Sequence, residues 1–133
     1  MSDIKSLIGQ RSEKKTFHVT EERLKQFCAA IGAVYEGEAP PTFMTIFRES
    51  EFRVFSDMNI ALSRVLHADQ EYRYLGKILP GDDLEFDTVL TKAVEKQIST
   101  GSSIFMVYET EIRALRGGSA VPVGVSKTTV IIR

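Results

Sequence analysis

The chain has 133 residues, 43% hydrophobic and 26% charged, with a formal net charge of −1; this suits one soluble globular domain spanning residues 1–133. Near-neutral charge gives no electrostatic case for nucleic acid or an anionic membrane, and no apolar run approaches the roughly 18 residues a membrane helix needs. A single cysteine excludes an internal disulfide, and without a secretion-signal pattern at the amino terminus the expected location is the cytoplasm.

Residues Lys15 to Val19 read as a short strand. Thr20 then offers a hydroxyl cap, and Glu21 and Glu22 occupy the first helical turn, where the dipole favours acid. Leu24, Phe27, Cys28 and Ile31 follow at spacings of three and four, giving one apolar stripe. Gly32 ends that helix in a left-handed conformation. From Ala33 to Pro41 the composition is loop-like and closes on Pro40-Pro41, which pushes the backbone towards extended geometry. Thr42 to Phe47 reads either as a brief strand or as an irregular lead into the next helix.

The stretch from Glu51 to Leu66 carries Phe55, Met58, Leu62, Val65 and Leu66 at helical spacing. Val54 and Ile60 widen the apolar face, so this helix is expected to be buried on several sides. After Gln70 the period changes to two: Tyr72 and Tyr74 share one face, Glu71 and Arg73 the other. Pro80-Gly81-Asp82-Asp83 is a turn signal, and a long strand runs from Leu84 towards Lys96. A turn around Gly101 leads into the alternating Ile104, Met106, Tyr108, Thr110 and Ile112. Arg116-Gly117-Gly118-Ser119 turns the chain again into a final strand ending at Ile132. One buried helix followed by long antiparallel strands describes an α+β domain, and an apolar helix held in a curled antiparallel sheet is the hot-dog fold.

Chemistry-bearing residues are sparse. Two distant histidines and one cysteine do not build a metal site, and no cofactor motif appears. Gly117-Gly118 joins strands rather than opening a helix, so it is not a phosphate loop. Cys28 reads as a buried, inert thiol, His18 as surface, and Asp82 and Asp83 as structural members of a turn. Asp57 is placed in the first turn of the long helix, where a dipole interaction explains it. His67 falls at the join between that helix and the following strand, with Asp69 and Gln70 close behind. Its roles stay open: hydrogen bonding between His67 and Gln70 that ties the helix end to the strand, or action on a ligand, as a base or by holding a carbonyl.

The order Phe17-His18-Val19-Thr20-Glu21-Glu22, Ile31-Gly32, Ala39-Pro40-Pro41-Thr42-Phe43, Leu66-His67-Ala68-Asp69-Gln70-Glu71-Tyr72, Pro80-Gly81-Asp82 and Ser126-Lys127-Thr128-Thr129-Val130 resembles the MaoC-like acyl dehydratases. The likeness runs from Phe17 to Arg133 and is greatest to the amino-terminal dehydratase branch. It implies a hot-dog fold, (R)-specific enoyl-thioester hydratase or dehydratase chemistry in fatty acid metabolism, and an acyl-CoA or acyl-carrier-protein ligand. It also implies Pro41, Thr42, Phe43, Leu66, His67, Ala68 and Gln70 as substrate-binding positions, with His67 the catalytic candidate. Active members carry an Asp and a His in a Gly-Asp-x-Asn-Pro-x-His type loop, a pair that activates water and delivers a proton. Here the corresponding segment reads Ala33-Val34-Tyr35-Glu36-Gly37-Glu38-Ala39-Pro40-Pro41, with neither Asp nor His. Glu36 and Glu38 read as exposed loop charge.

The expectation is therefore a non-catalytic or partner-dependent subunit, paired as a homodimer or with a second hot-dog subunit. The physical ground for pairing is a sheet edge left open by so small a domain. Two alternatives stand beside it. One is a hot-dog acyl-CoA thioesterase using Asp57 or the His67 region; the other is a binding or assembly protein without chemistry.

Overall fold

The computed structural model describes residues 5–133. Strand β1, Lys15–His18, leads into helix α1, Glu21–Ile31. Thr20 Oγ1 accepts the Arg23 N–H at 3.1 Å, and Gly32 closes the helix at φ 72°. The Gly32 N–H donates to Ala29 O and the Ala33 N–H to Cys28 O, a paired closure that satisfies two terminal carbonyls. Residues 33–40 then lead to a 3₁₀ helix, Pro41–Phe47, and directly to helix α2, Glu49–Asp57. A 3₁₀ turn at Leu62–Arg64 precedes four strands: β2 Val65–Tyr74, β3 Asp83–Ile98, β4 Gly101–Arg116 and β5 Ser119–Ile132.

The strands form one antiparallel sheet in the order β1-β3-β4-β5-β2. Period two is cleanest in β4, where Ile104, Met106, Tyr108, Thr110, Ile112 and Ala114 are all buried. The buried rod against this inner face consists of the 3₁₀ helix and α2, through Phe43, Met44, Phe47, Ser50, Glu51 and Phe55.

That rod lies earlier in the chain than the sequence pattern predicts. The helix expected from Glu51 to Leu66 ends at Asp57. Leu62 is 61% exposed and Leu66 41% exposed, and Val65 and Leu66 already belong to β2. Asn59, at φ 56°, supplies the cause. Its N–H donates to Ser56 O at 3.1 Å and the Ile60 N–H to Phe55 O at 2.8 Å, the same closure that ends α1. Ile60 packs in the same apolar cluster as Phe55, the hydrophobic contact that accompanies this stop.

Two apolar clusters fill the interior. One gathers Phe43, Met44, Phe47, Leu84, Phe86 and Ile112, with Phe17 and Phe27 meeting Phe43 edge-on. The other gathers Phe55, Leu90, Met106, Tyr108, Val130 and Ile132. Between them runs a band of polar side chains. Thr88 pairs with Thr110 across β3 and β4, Thr110 with Ser126 across β4 and β5, and Tyr108 with Thr128 in the adjacent row. All five hydroxyl residues are buried, and Thr88 and Thr110 hydrogen-bond each other at 2.7 Å. Asp82 is structural, as expected: Arg116 Nη2 donates to Oδ2 at 2.6 Å and the Leu79 N–H at 2.8 Å, which holds its carboxyl below the usual range.

Candidate functional site

The polar band ends at an acid. Glu51 sits in the first turn of α2 and is 1% exposed. Arg48 Nε donates to its Oε1 at 3.2 Å. Its Oε2 lies 3.1 Å from Thr128 Oγ1 on β5, and Thr128 Oγ1 lies 3.0 Å from Gln70 Oε1 on β2. Gln70 Nε2 donates to Ser126 Oγ at 2.8 Å and to Lys127 O at 3.2 Å. His67 Nε2 lies 3.0 Å from Gln70 Oε1. A continuous chain of polar contacts thus joins buried Glu51 to exposed His67 through two strands. Burial raises the Glu51 pKa, against the pull of the Arg48 guanidinium.

The sequence places His67 at the mouth of a helix; the structure places it within β2, an edge strand that among the described residues pairs with β5 alone. The ladder slips between His67 and Asp69, so Ala68 is the extra residue of a bulge, a device that re-aims neighbouring side chains. His67 is bonded to Gln70, as one of its two readings anticipates, but the bond stabilises the strand rather than a helix end. Leu66 and Ala68 are exposed on the same edge.

Pro41, Thr42 and Phe43 lie apart from this edge at the start of the 3₁₀ helix. Phe43 is core, Thr42 is exposed, and Pro41 O accepts the Tyr74 hydroxyl at 3.1 Å. Pro41 also lines a cavity of about 420 Å³ with Met44, Tyr74, Gly76 and Val123.

Asp57 is the last residue of α2 rather than a first-turn residue. A carboxylate there meets the unfavourable end of the helix dipole, so the stabilising role expected for it does not hold. It is exposed and lines a larger cavity of about 530 Å³ with Leu7, Ser50, Val54, Met58 and Tyr108. Tyr108 is 1% exposed, and its hydroxyl has no hydrogen-bond partner among the described residues; burial raises its pKa, so it stays protonated. His18 is exposed and bonded to Asp83 at 2.7 Å, and Cys28 is buried and free. Among the described residues no cluster of three or more His, Cys, Asp or Glu is arranged for a metal ion. No helix among them is long and apolar enough to cross a membrane.

Glu51, Thr128, Ser126 and Arg48 were not anticipated from the sequence. A signal was present: Thr110, Ser126 and Thr128 occupy inward positions of strands whose other inward residues are mostly apolar. Buried hydroxyls require partners, so such a row implies a polar group descending from the opposing helix.

Residues 35–122 match the family described as FAS1-like, dehydratase domain region. A UPF0336 protein of Mycobacterium leprae is 30% identical over 112 residues, covering 70% of this chain and 68% of that protein. Among solved structures, the HadBC (3R-hydroxyacyl-ACP dehydratase) complex from Mycobacterium tuberculosis superposes with a TM-score of 0.74 at 19% identity. That match covers 94% of this chain and 96% of the other. A MaoC-like dehydratase superposes with a TM-score of 0.73 at 18% identity, covering 97% of this chain and 43% of that one. An antiparallel sheet closed on a buried rod, the profile match over most of the chain and these neighbours agree: the chain belongs to the FAS1-like dehydratase region family, and its fold is the hot-dog fold of the MaoC-like dehydratases.

Proposed function

We propose that residues 1–133 act as one acyl-thioester-binding subunit of a cytoplasmic hot-dog hydratase or dehydratase, dependent on a partner subunit for the water-activating Asp and His. The observation that carries this reading is the segment between α1 and the 3₁₀ helix. It runs from Ala33 to Pro40 with neither residue type, and its acids, Glu36 and Glu38, face solvent or Lys77 rather than an imidazole. No pair on that segment could hold one water and return its proton to carbon. The open edge of β2 is where a second hot-dog subunit would add, in the manner of edge pairing. The HadBC structure, itself a complex, is consistent with such pairing. On this reading Leu66, His67, Ala68 and Gln70 border the thioester, and His67 holds rather than activates it.

Hydration of crotonyl-CoA by the purified chain, alone and mixed with a second hot-dog protein carrying the Asp and His, tests the proposal. The expected result is activity only in the mixture, reduced about tenfold or more by His67→Ala. Hydration by the chain alone, abolished by His67→Ala, would replace partner dependence with a catalytic His67. Release of free thiol abolished by Asp57→Asn would make the protein a thioesterase. Failure to retain any acyl-CoA or acyl-carrier thioester would leave an assembly protein.

A further inference from the structure

The contacts that join Glu51 to His67 fix where their protons lie. Lys127 O is a carbonyl oxygen and only accepts, so the Gln70 atom 3.2 Å from it must be the amide nitrogen. The Gln70 oxygen therefore faces both His67 Nε2, at 3.0 Å, and Thr128 Oγ1, at 3.0 Å. Two close contacts to one carbonyl oxygen are favourable only if both neighbours donate. His67 must then carry a hydrogen on Nε2, and Thr128 must direct its single hydroxyl hydrogen at Gln70.

Thr128 has no second hydrogen for Glu51 Oε2, 3.1 Å away. Two oxygens that close, in a site 1% exposed at Glu51 and 0% at Thr128, repel unless the carboxyl itself supplies the hydrogen. The charged and titratable groups that act on Glu51 are Arg48, donating to the other oxygen at 3.2 Å, His67 at the far end of the chain, and the Tyr108 phenol. Among the described residues only Arg48 donates to it directly, and that bond to Oε1 is compatible with a proton on Oε2.

We propose that Glu51 is a neutral acid and that Glu51, Thr128 and Gln70 form a one-directional hydrogen-bond chain positioning His67, with its proton on Nε2 and the Nδ1 lone pair presented at the β2 edge. Hydrogens run from Glu51 to Thr128, from Thr128 to Gln70, and from His67 to the same Gln70 oxygen. Nδ1 then accepts a hydrogen bond from a hydroxyl or N–H of the ligand, the chemistry a 3-hydroxyacyl thioester offers through its hydroxyl. Glu51, Thr128 and Gln70 are positioning residues; a glutamine amide orients its neighbours but does not pass a proton on. The ligand part of the inference rests on His67 bordering the acyl thioester; the placement of the protons does not.

The test uses the full chain without ligand or partner. Long-range ¹H–¹⁵N spectra above the ordinary imidazole range report the tautomer of each histidine, with His18 identified by its loss in His18→Gln. The carboxyl ¹³C shift reports the charge on Glu51. Expected are a single Nε2–H tautomer for His67 and a protonated Glu51 at neutral pH. Glu51→Gln, whose amide also donates to Thr128, should keep the tautomer, and Gln70→Leu should turn it into a mixture. An Nδ1–H tautomer for His67 or an ionised Glu51 in the wild-type chain overturns the proposal, whether or not any variant folds. Should the proton placement hold while His67→Ala leaves partner-dependent hydration unchanged, the reading of His67 as thioester-bordering fails and the chain serves the strand alone.

Discussion

Glu51 and Glu49 are two residues apart in Arg48-Glu49-Ser50-Glu51-Phe52-Arg53, yet Glu49 is exposed and Glu51 is buried. The difference has a consequence in pH. Burial raises the folded pKa of Glu51 above its unfolded value, so between those values the folded state holds a proton that the unfolded chain has lost. The stabilisation from this group is therefore complete below the ordinary carboxylate range and declines as pH rises towards the folded pKa. Each tenfold difference in proton affinity corresponds to about 1.4 kcal/mol. Glu51→Gln resembles the neutral acid at every pH. The wild-type chain is expected to lose stability relative to this variant as denaturation midpoints are followed from about pH 4 to pH 8. A gain over the same range would mean that Glu51 is held charged by Arg48. Glu51→Ala, which removes the carboxyl that Arg48 and Thr128 contact, is expected to cost about 1–3 kcal/mol.

At the scale of elements, the termination of α2 shows how a short local stop outweighs a long periodic pattern. Phe55, Met58, Leu62, Val65 and Leu66 continue a helical spacing on paper. Asn59 adopts φ 56° and its neighbours close the helix, after which the same apolar residues serve a 3₁₀ turn and an edge strand. Asparagine tolerates this conformation and a β-branched residue does not. Asn59→Val is expected to lower stability by about 1–2 kcal/mol, and Asn59→Gly to change it by less than about 0.5 kcal/mol, read from urea midpoints. Equal effects of the two would mean that the left-handed residue is not what ends the helix. The matching stop at Gly32 was legible because glycine is a louder signal than asparagine, and the strands were legible because their inward residues alternate over many positions.

For the whole molecule, the edge formed by β2 is the feature with the largest consequence. Leu66 is 41% exposed and Tyr74 54% exposed on a strand with a neighbour on one side, and unprotected edges invite a further strand. Leu66→Lys is expected to weaken association with a hot-dog partner at least tenfold, worth about 1.4 kcal/mol, while leaving the thermal midpoint of the isolated chain within a few degrees. Sedimentation of the mixture measures the first effect and thermal unfolding the second. Unchanged association would move the partner interface elsewhere on the surface. His67 and Gln70 were legible as a pair because they are three residues apart, and Ala68 between them gave no hint of the bulge that sets their orientation.

The amino-acid sequence by itself determined the hairpin strands, the capped first helix, the family likeness and the absence of an Asp and His pair after Gly32. Each of these is written in neighbouring residues, in local periodicity or in turn chemistry. The tertiary structure alone decided that Glu51 is buried, where the rod lies and how His67 is held. Glu51 meets Thr128 from 77 residues away and Gln70 meets Ser126 from 56. Contacts at that separation depend on strand order and register, and no short-range pattern encodes them.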